Sequence, residues 1–278
     1  MAAFSYQRAT SLDDALAALA NGDTKVIAGG MSLLPLMKLR LASPGTLVDI
    51  GRLSELKGIR PTADGGLEIG ALATYADILA STSLPIAIEC ISRIGDIQVR
   101  NRGTVGGSIS HADPASDLPA LGLALDYSVV LRSSRSERSV PLDGFFEGAF
   151  QTGIQADEIL VKMVRGPLPA GALGSYQKME HPASGYSIVG VAAVVASSAG
   201  RVTHARVALT GVGEVAYRAK AVEAALLGSD GSSAAVAAAA EHATDGQTVN
   251  GDIHANRDYR ARMAVVYTRR AIEAALGR

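Results

Sequence analysis

A short apolar strand that runs directly into two glycines is the feature that most constrains this chain. Residues Lys25–Ala28 are followed by Gly29 and Gly30, and a helix-like stretch begins at Leu33. Glycine adopts positive φ readily, and without a Cβ its backbone can approach a ligand closely. Successive amide N–H groups at such a turn form a concave site for an anion, a pyrophosphate above all. This segment alone leaves two interpretations open: a phosphate cradle, or a tight turn without a ligand.

A second glycine-rich segment has the same character. Thr104-Val105-Gly106-Gly107-Ser108 follows Gly103, so three glycines fall within five residues, and hydroxyl side chains flank them. Two separate glycine cradles in one chain suit a long ligand with a phosphate bridge.

Asp117 and Tyr186 are further candidates, and each has a purely structural alternative. The carboxylate of Asp117 can accept a hydrogen bond from a ribose or ribityl hydroxyl, or it can cap a helix over residues 118–125. Tyr186 lies in a loop before an apolar strand, where it can stack on a flat ring or pack at the edge of the sheet. The residues themselves leave both alternatives open.

The length of 278 residues predicts two or three units that share a core. Strands and helices alternate in the first unit, residues 1–57, which is predicted to be a small α/β subdomain. Residues 58–168 have an α+β pattern with antiparallel or mixed strands. Residues 169–278 are predicted to form an antiparallel meander followed by three alanine-rich helices, because alanine favours helix.

Composition excludes several classes of protein. The net charge is −1 and the basic residues are scattered, which argues against a nucleic-acid partner. The single cysteine, Cys90, excludes an internal disulfide and an iron–sulfur cluster held by four cysteines of this chain. Its expected role is that of a small buried hydrophobe. The N-terminal residues lack a signal-peptide pattern, so the expected location is cytoplasmic, with attachment to the inner face of a membrane through a partner left open.

Three other patterns are weak. Gly211–Ala216 follows a strand and fits a dinucleotide fingerprint, but no second parallel strand with an acidic end follows it. His111, Asp113 and Asp117 could be taken for metal ligands, yet the five histidines are dispersed, so no metal site is expected. A serine-nucleophile elbow is missing from the sequence, and no catalytic residue is assigned to this chain.

Longer runs around the glycine segments resemble those of molybdenum hydroxylase flavoproteins, the xanthine oxidase family. The most specific runs are Gln98–Ser108 with His111–Pro114, and Val249–Ala255 with Tyr259 and Arg260 after it. The resemblance covers essentially the whole chain. Its members include the medium subunits of aerobic carbon monoxide dehydrogenase and of quinoline and nicotine oxidoreductases. Residues 176–190 and the C-terminal run most resemble the carbon monoxide dehydrogenase medium subunits.

The resemblance implies a fold and a cofactor site. The fold would be the vanillyl-alcohol-oxidase (PCMH-type) FAD-binding fold in two subdomains, plus a C-terminal antiparallel sheet with a three-helix bundle. The two glycine segments would wrap the pyrophosphate of a non-covalent FAD, Asp117 would hold a sugar or ribityl hydroxyl, and Tyr186 would cover one flavin face. The residues that the resemblance assigns to FAD are Val26, Ile27, Ala28, Gly29, Gly30, Met31, Ser32, Leu33, Thr104, Gly106, Gly107, Ser108, Asp117, Leu160 (near the adenine), Lys178 (a cationic contact on the flavin side) and Tyr186.

Two departures from the family pattern bear on this site. Met31 stands where members often have His or Thr, and Ser108 where they often have Asn. Either change leaves the backbone cradle usable, while Met31 removes a polar contact near the flavin.

The resemblance also implies a division of labour. A large subunit with a molybdopterin-type molybdenum cofactor would oxidise the substrate, and a small subunit with two [2Fe–2S] clusters would carry electrons to this FAD. The flavin would pass them to a quinone, oxygen or NAD, with peripheral association at a membrane left open. The expected assembly is a dimer of heterotrimers. The alternatives are a medium subunit serving an N-heterocycle, xanthine or aldehyde, a stand-alone flavin oxidase, and a nucleotide-binding scaffold module.

Overall fold

The computed structural model describes residues 2–278 and begins with a small parallel sheet. Its strands are β1 (Ser5–Arg8), β2 (Thr24–Ile27) and β3 (Thr46–Asp49), with β3 in the centre. Helices α1 (Leu12–Leu19) and α2 (Leu33–Lys38) connect them. The side chain of Ser11 caps α1 by accepting from the N–H of Asp14, as the sequence predicts. A short 3-10 helix, Ser54–Leu56, leads out of this unit.

The second unit is a five-stranded antiparallel sheet covered by helices. Its strands are β4 (Ile59–Pro61), β5 (Leu67–Gly70), β6 (Ser128–Arg132), β7 (Glu137–Pro141) and β10 (Ile159–Arg165), in the order β4-β5-β10-β6-β7. Strands β8 (Phe146–Gly148) and β9 (Gln151–Thr152) form a separate hairpin. The helices are α3 (Tyr75–Ser81), α4 (Pro85–Ile91), α5 (Ile97–Arg102), α6 (Val105–His111) and α7 (Asp117–Ala124).

The third unit is the predicted antiparallel meander with its helices. The strands are β11 (Leu173–Glu180), β12 (Ser187–Ser198), β13 (Arg201–Thr210) and the short β14 (Tyr217–Arg218), paired in chain order. Helices α8 (Lys220–Leu226), α9 (Ser233–Ala240) and α10 (Arg257–Ala275) follow. The α+β class and the C-terminal sheet with three helices are therefore confirmed. The boundaries at 57/58 and 168/169 stay a prediction.

Strand β12 carries no polar side chain from Ile188 to Ala196 because both of its faces are buried there. Ala192 and Val194 point into the core shared with the second unit, while Val191, Ala193 and Val195 point into the core beneath α10. A strand covered on both sides needs no polar alternation. None of the helices within residues 2–278 combines the length and apolar character needed to cross a membrane.

Cys90 is fully buried in the core of the second unit, as predicted. Burial raises the pKa of its thiol well above the ordinary value. The thiol therefore stays protonated and behaves as a small core side chain.

An ion pair between Arg138 and Glu158 joins β7 to the start of β10. The guanidinium donates Nε–H to Glu158 Oε1 at 2.6 Å and Nη2–H to Oε2 at 2.8 Å. This bond, reinforced by the backbone N–H of Gln155, holds the pKa of Glu158 below its usual 4.5. A lowered folded-state pKa gives stability that is present above pH 4.5 and lost as the pH falls through the folded-state value.

Replacing Glu158 by Gln should therefore flatten the acid limb of the stability curve. We expect the variant to lose less stability than the wild type between about pH 5 and pH 3. Urea unfolding at several pH values measures this slope. Glu137→Gln, an exposed neighbour that makes no ion pair in the described residues 2–278, is the matched control. An unchanged acid limb in Glu158→Gln would contradict the role of the pair.

Candidate cofactor site

The first glycine segment presents unpaired backbone amides. Within residues 2–278, the N–H groups of Gly29–Ser32 donate no hydrogen bond to a protein acceptor. Gly30 has φ +76°, which turns the chain between β2 and α2. The turn of free N–H groups ends at the start of α2, where the Leu34 N–H donates to Gly30 O at 3.1 Å. This arrangement can accept an anion.

The first glycine segment packs against the residues that lead into the second. A Cβ built on Gly29 would lie 1.8 Å from the carbonyl oxygen of Arg102 and 3.3 Å from the nitrogen of Gly103. No side chain fits there, so glycine at position 29 is required by the approach of α5's last residue. The contact places the segment after β2 directly beside the segment before α6.

The second segment begins α6. The Thr104 side chain caps this helix by accepting from the Gly107 N–H at 3.2 Å. The Gly106 N–H donates to Ala71 O at 2.8 Å, and a Cβ on Gly106 would lie 2.6 Å from the Ala71 Cβ. Gly106 therefore lets α6 pack against the residue that follows β5, and its own N–H already donates to a protein acceptor. Its assignment to FAD stays a prediction.

Asp117 is the centre of a buried polar network. Its carboxylate accepts from Tyr176 Oη at 2.5 Å, Ser187 Oγ at 2.6 Å and Lys178 Nζ at 2.8 Å. The residue that precedes α7 is Ser116, and the carboxylate of Asp117 makes no capping bond. The helix-capping alternative is therefore wrong, because buried partners from β11 and β12 take the carboxylate.

Lys178 lies inside the protein, with a side chain that is 0% exposed against 6% for Asp117. Its ammonium also donates to Arg93 O at 3.3 Å. Lys178 and Asp117 are thus brought together, and the contact of either with FAD stays a prediction. Tyr176 and Ser187 were not among the predicted site residues. Tyr176 could have been found, because residues i and i+2 of a strand share a face.

Tyr186 lies at the rim of this network. Its side chain is half-exposed, and burial together with the charges of Asp113 and Asp117 raises its pKa. Asp113 lies in the connection from α6 to α7 and Asp117 begins α7, so the phenol lies near that connection.

The other predicted residues lie around the first two sheets. Val26 and Ile27 are half-buried in β2, and Leu33 is half-buried at the start of α2. Met31 is exposed at the turn, Ser108 Oγ lies 3.0 Å from Ser116 Oγ, and Leu160 is buried in β10. Gly211–Ala216 connects β13 to its antiparallel neighbour β14, so this fingerprint-like pattern is a hairpin and not a dinucleotide turn.

Comparisons with known proteins cover both halves of the chain. The family model "FAD binding domain in molybdopterin dehydrogenase" matches residues 2–169, and "CO dehydrogenase flavoprotein C-terminal domain" matches residues 174–275. A carbon monoxide dehydrogenase medium chain from Hydrogenophaga pseudoflava is 38% identical over 282 residues, which cover 99% of this chain and 98% of the relative.

Solved structures agree with these matches. The carbon monoxide dehydrogenase of Hydrogenophaga pseudoflava that lacks the Mo-pyranopterin moiety aligns with a TM-score of 0.96 and 40% identity, over 99% of this chain and 98% of that one. Quinoline 2-oxidoreductase from Pseudomonas putida 86 aligns with a TM-score of 0.90 and 34% identity, over 99% and 98%. Similarity at this level extends through every element described above.

Proposed function

Because this chain belongs to the FAD-binding flavoproteins of the molybdenum hydroxylase family, we propose that it is the electron-transfer subunit of such a complex. The proposal specifies the cofactor's place, the partners and the direction of electron flow. One structural observation carries it: the first glycine segment packs at Gly29 against Arg102 and Gly103, directly before the second segment, and its own amides at Gly29–Ser32 stay free.

The residues fit an FAD by several physical criteria. The free N–H groups of Gly29–Ser32 match the negative pyrophosphate oxygens. The glycines at 29 and 30 supply a cradle that a Cβ would fill or strain. Tyr186 supplies a half-exposed ring at the rim of the Asp117 network.

When bound, FAD accepts electrons from an iron–sulfur partner and delivers them to an external acceptor. The contribution of this chain is to bind and orient that cofactor. The backbone turn at Gly29–Ser32 would hold the phosphates, Lys178 and Asp117 would lie on the flavin side, and Tyr186 would shield one flavin face from water. No residue needs to act as an acid or base toward the substrate.

The partners proposed are a small subunit with two [2Fe–2S] clusters and a large subunit with a molybdenum cofactor, arranged as a dimer of heterotrimers. Relatives named as medium chains support the existence of further subunits. The one cysteine of this chain is buried, so the clusters belong to another chain. The electron acceptor proposed is a quinone, oxygen or NAD, with cytoplasmic location at the inner face of a membrane through partners.

Carbon monoxide is the first substrate to test, with oxidation to CO2 using water. Two carbon monoxide dehydrogenase medium chains are 38% and 33% identical to this chain over 99% of its length. A 6-hydroxypseudooxynicotine dehydrogenase subunit is 37% identical over the same share. Since substrate chemistry belongs to the large subunit, an N-heterocycle, xanthine or aldehyde is the alternative.

Purification of the complex with and without this chain tests the proposal. We expect the complete complex to hold one FAD per copy of this chain. We expect the complex without it to reduce its iron–sulfur clusters with substrate yet pass electrons to a quinone or to NAD at a small fraction of the complete rate. A chain that holds FAD but never joins such subunits would favour a stand-alone oxidase, and a complex without FAD would contradict the proposal.

A further inference from the structure

The loop that carries Tyr186 is organised by one histidine. The backbone N–H of His181 donates to Tyr186 O at 2.8 Å, and the Gly185 N–H donates to His181 O at 2.9 Å. The side chain of His181 accepts at Nδ1 from the N–H groups of Ala183 and Ser184, at 3.3 and 3.2 Å. Every residue of this loop between His181 and Gly185 is exposed, so these bonds define its shape.

A second histidine holds the first from outside the loop. His181 Nε2 lies 3.1 Å from His254 Nδ1, with ring centroids 4.1 Å apart. Because Nδ1 of His181 accepts two backbone N–H groups, its proton is on Nε2 and is donated to His254. The bond joins the β11–β12 loop to the C-terminal run, residues that are 73 positions apart.

His254 is itself fixed to helix α10. The Asp252 carboxylate accepts from the backbone N–H groups of His254 and Ala255 at 2.8 and 2.9 Å, and from Arg260 Nη2 at 2.7 Å. Arg260 is buried, and its Nη1 donates to Ile188 O and Gly211 O at 2.6 and 2.7 Å. A continuous path of hydrogen bonds therefore runs from the third unit's core to the Tyr186 loop.

We infer that His254 and His181 are positioning residues that hold Tyr186 over the flavin. The inference rests on the proposed function, and it gives a role to the run Val249–Ala255, which makes no part of the glycine cradles. The phenol ring is half-exposed, and the backbone bond between His181 and Tyr186 O links its placement to this loop. The atom of His254 that anchors the loop is Nδ1, which accepts the hydrogen bond from His181 Nε2.

Removing the acceptor tests the inference in the assembled complex. We expect His254→Ala to retain FAD, because the glycine segments are unchanged. Its visible flavin circular dichroism should differ from that of the wild type, and the difference should be most of the one that Tyr186→Ala shows. His254→Asn places an amide oxygen near the Nδ1 position and should restore the wild-type spectrum. His242→Ala, another exposed histidine, is the matched control and should leave the spectrum unchanged.

Combining the substitutions separates positioning from general stability. If His254 acts through Tyr186, then adding His254→Ala to Tyr186→Ala should change the flavin spectrum no further. A merely structural histidine would add its own effect in both backgrounds. A His254→Ala spectrum like that of the wild type, with Tyr186→Ala altered, would overturn the inference and leave the proposed function standing. No spectral change in Tyr186→Ala would overturn the role of Tyr186, and a wild-type complex without FAD would overturn the proposed function itself.

Discussion

Replacing Gly29 by alanine is expected to empty the cofactor site. The added Cβ would lie 1.8 Å from the carbonyl oxygen of Arg102, which is backbone and cannot move aside alone. The segment after β2 must therefore move away from Arg102, which displaces the free amides. We expect the affinity for FAD to fall at least about tenfold and the FAD content of the purified complex to fall with it, since the loss of even one favourable charged contact costs about 1.5–3 kcal/mol. Absorbance of released FAD per purified complex measures the content, and titration of the FAD-free complex with FAD measures the affinity.

Gly166→Ala is the matched control for this substitution. Gly166 has open space around its Cβ position and no positive φ, so the same methyl group is added without a clash. We expect its FAD content to equal that of the wild type. Full FAD content in Gly29→Ala would show that the contact between the segments does not form the site.

Breaking the Lys178–Asp117 pair should give the second large effect. Asp117→Leu leaves a fully buried ammonium without its counter-ion and removes the acceptor of Tyr176 and Ser187. Removing one partner of a buried pair costs about 3–5 kcal/mol. For a chain of this size that lowers Tm by roughly 6–20 °C. The measurement is made without FAD, because a bound ligand would add its own stabilisation.

The double variant Asp117→Leu with Lys178→Met tests whether the unpaired charge of Lys178 is the cause of the lost stability. Methionine removes the uncompensated charge while it keeps most of the side-chain volume. We expect the double variant to be more stable than Asp117→Leu alone. If the double variant were the less stable of the two, unpaired charge would not be the reason for the loss.

Local signals predicted much of the fold. The cap at Ser11, the capping box at Thr74 and the turn at Gly65 are examples of local signals, because a few adjacent residues determine each of them. The long strands β11–β13 were found for a similar reason: unbroken apolar or alternating runs between breakers permit few other structures.

The sequence pattern did not predict the elements that depend on distant partners. Strand β1 is exposed along its whole length and exists because β3 pairs with it in parallel. Helices α5 and α6 are short, and Gly103 separates them. A Cβ built on Gly103 would lie 2.7 Å from Cε2 of Tyr75, so only glycine leaves room for that ring. Neither feature has a periodic pattern of its own, so tertiary packing decides them.

The candidate site divides in the same way. The glycine segments were recognisable because a backbone cradle needs glycine locally. The contact of Gly29 with Arg102, the engaged amide of Gly106 and the pairing of Lys178 with Asp117 depend on how the units pack. Pattern alone therefore offered candidate residues, but it could not show how those residues pack against one another.

A cryo-electron-microscopy structure of the assembled complex shows directly whether the two glycine segments form one FAD site. We expect the pyrophosphate oxygens within about 2.7–3.2 Å of the N–H groups of Gly29–Ser32, beside the start of α6. We expect the isoalloxazine ring beneath Tyr186. An FAD bound with its pyrophosphate away from both segments, or a complete complex without FAD, would show that the segments do not form this site.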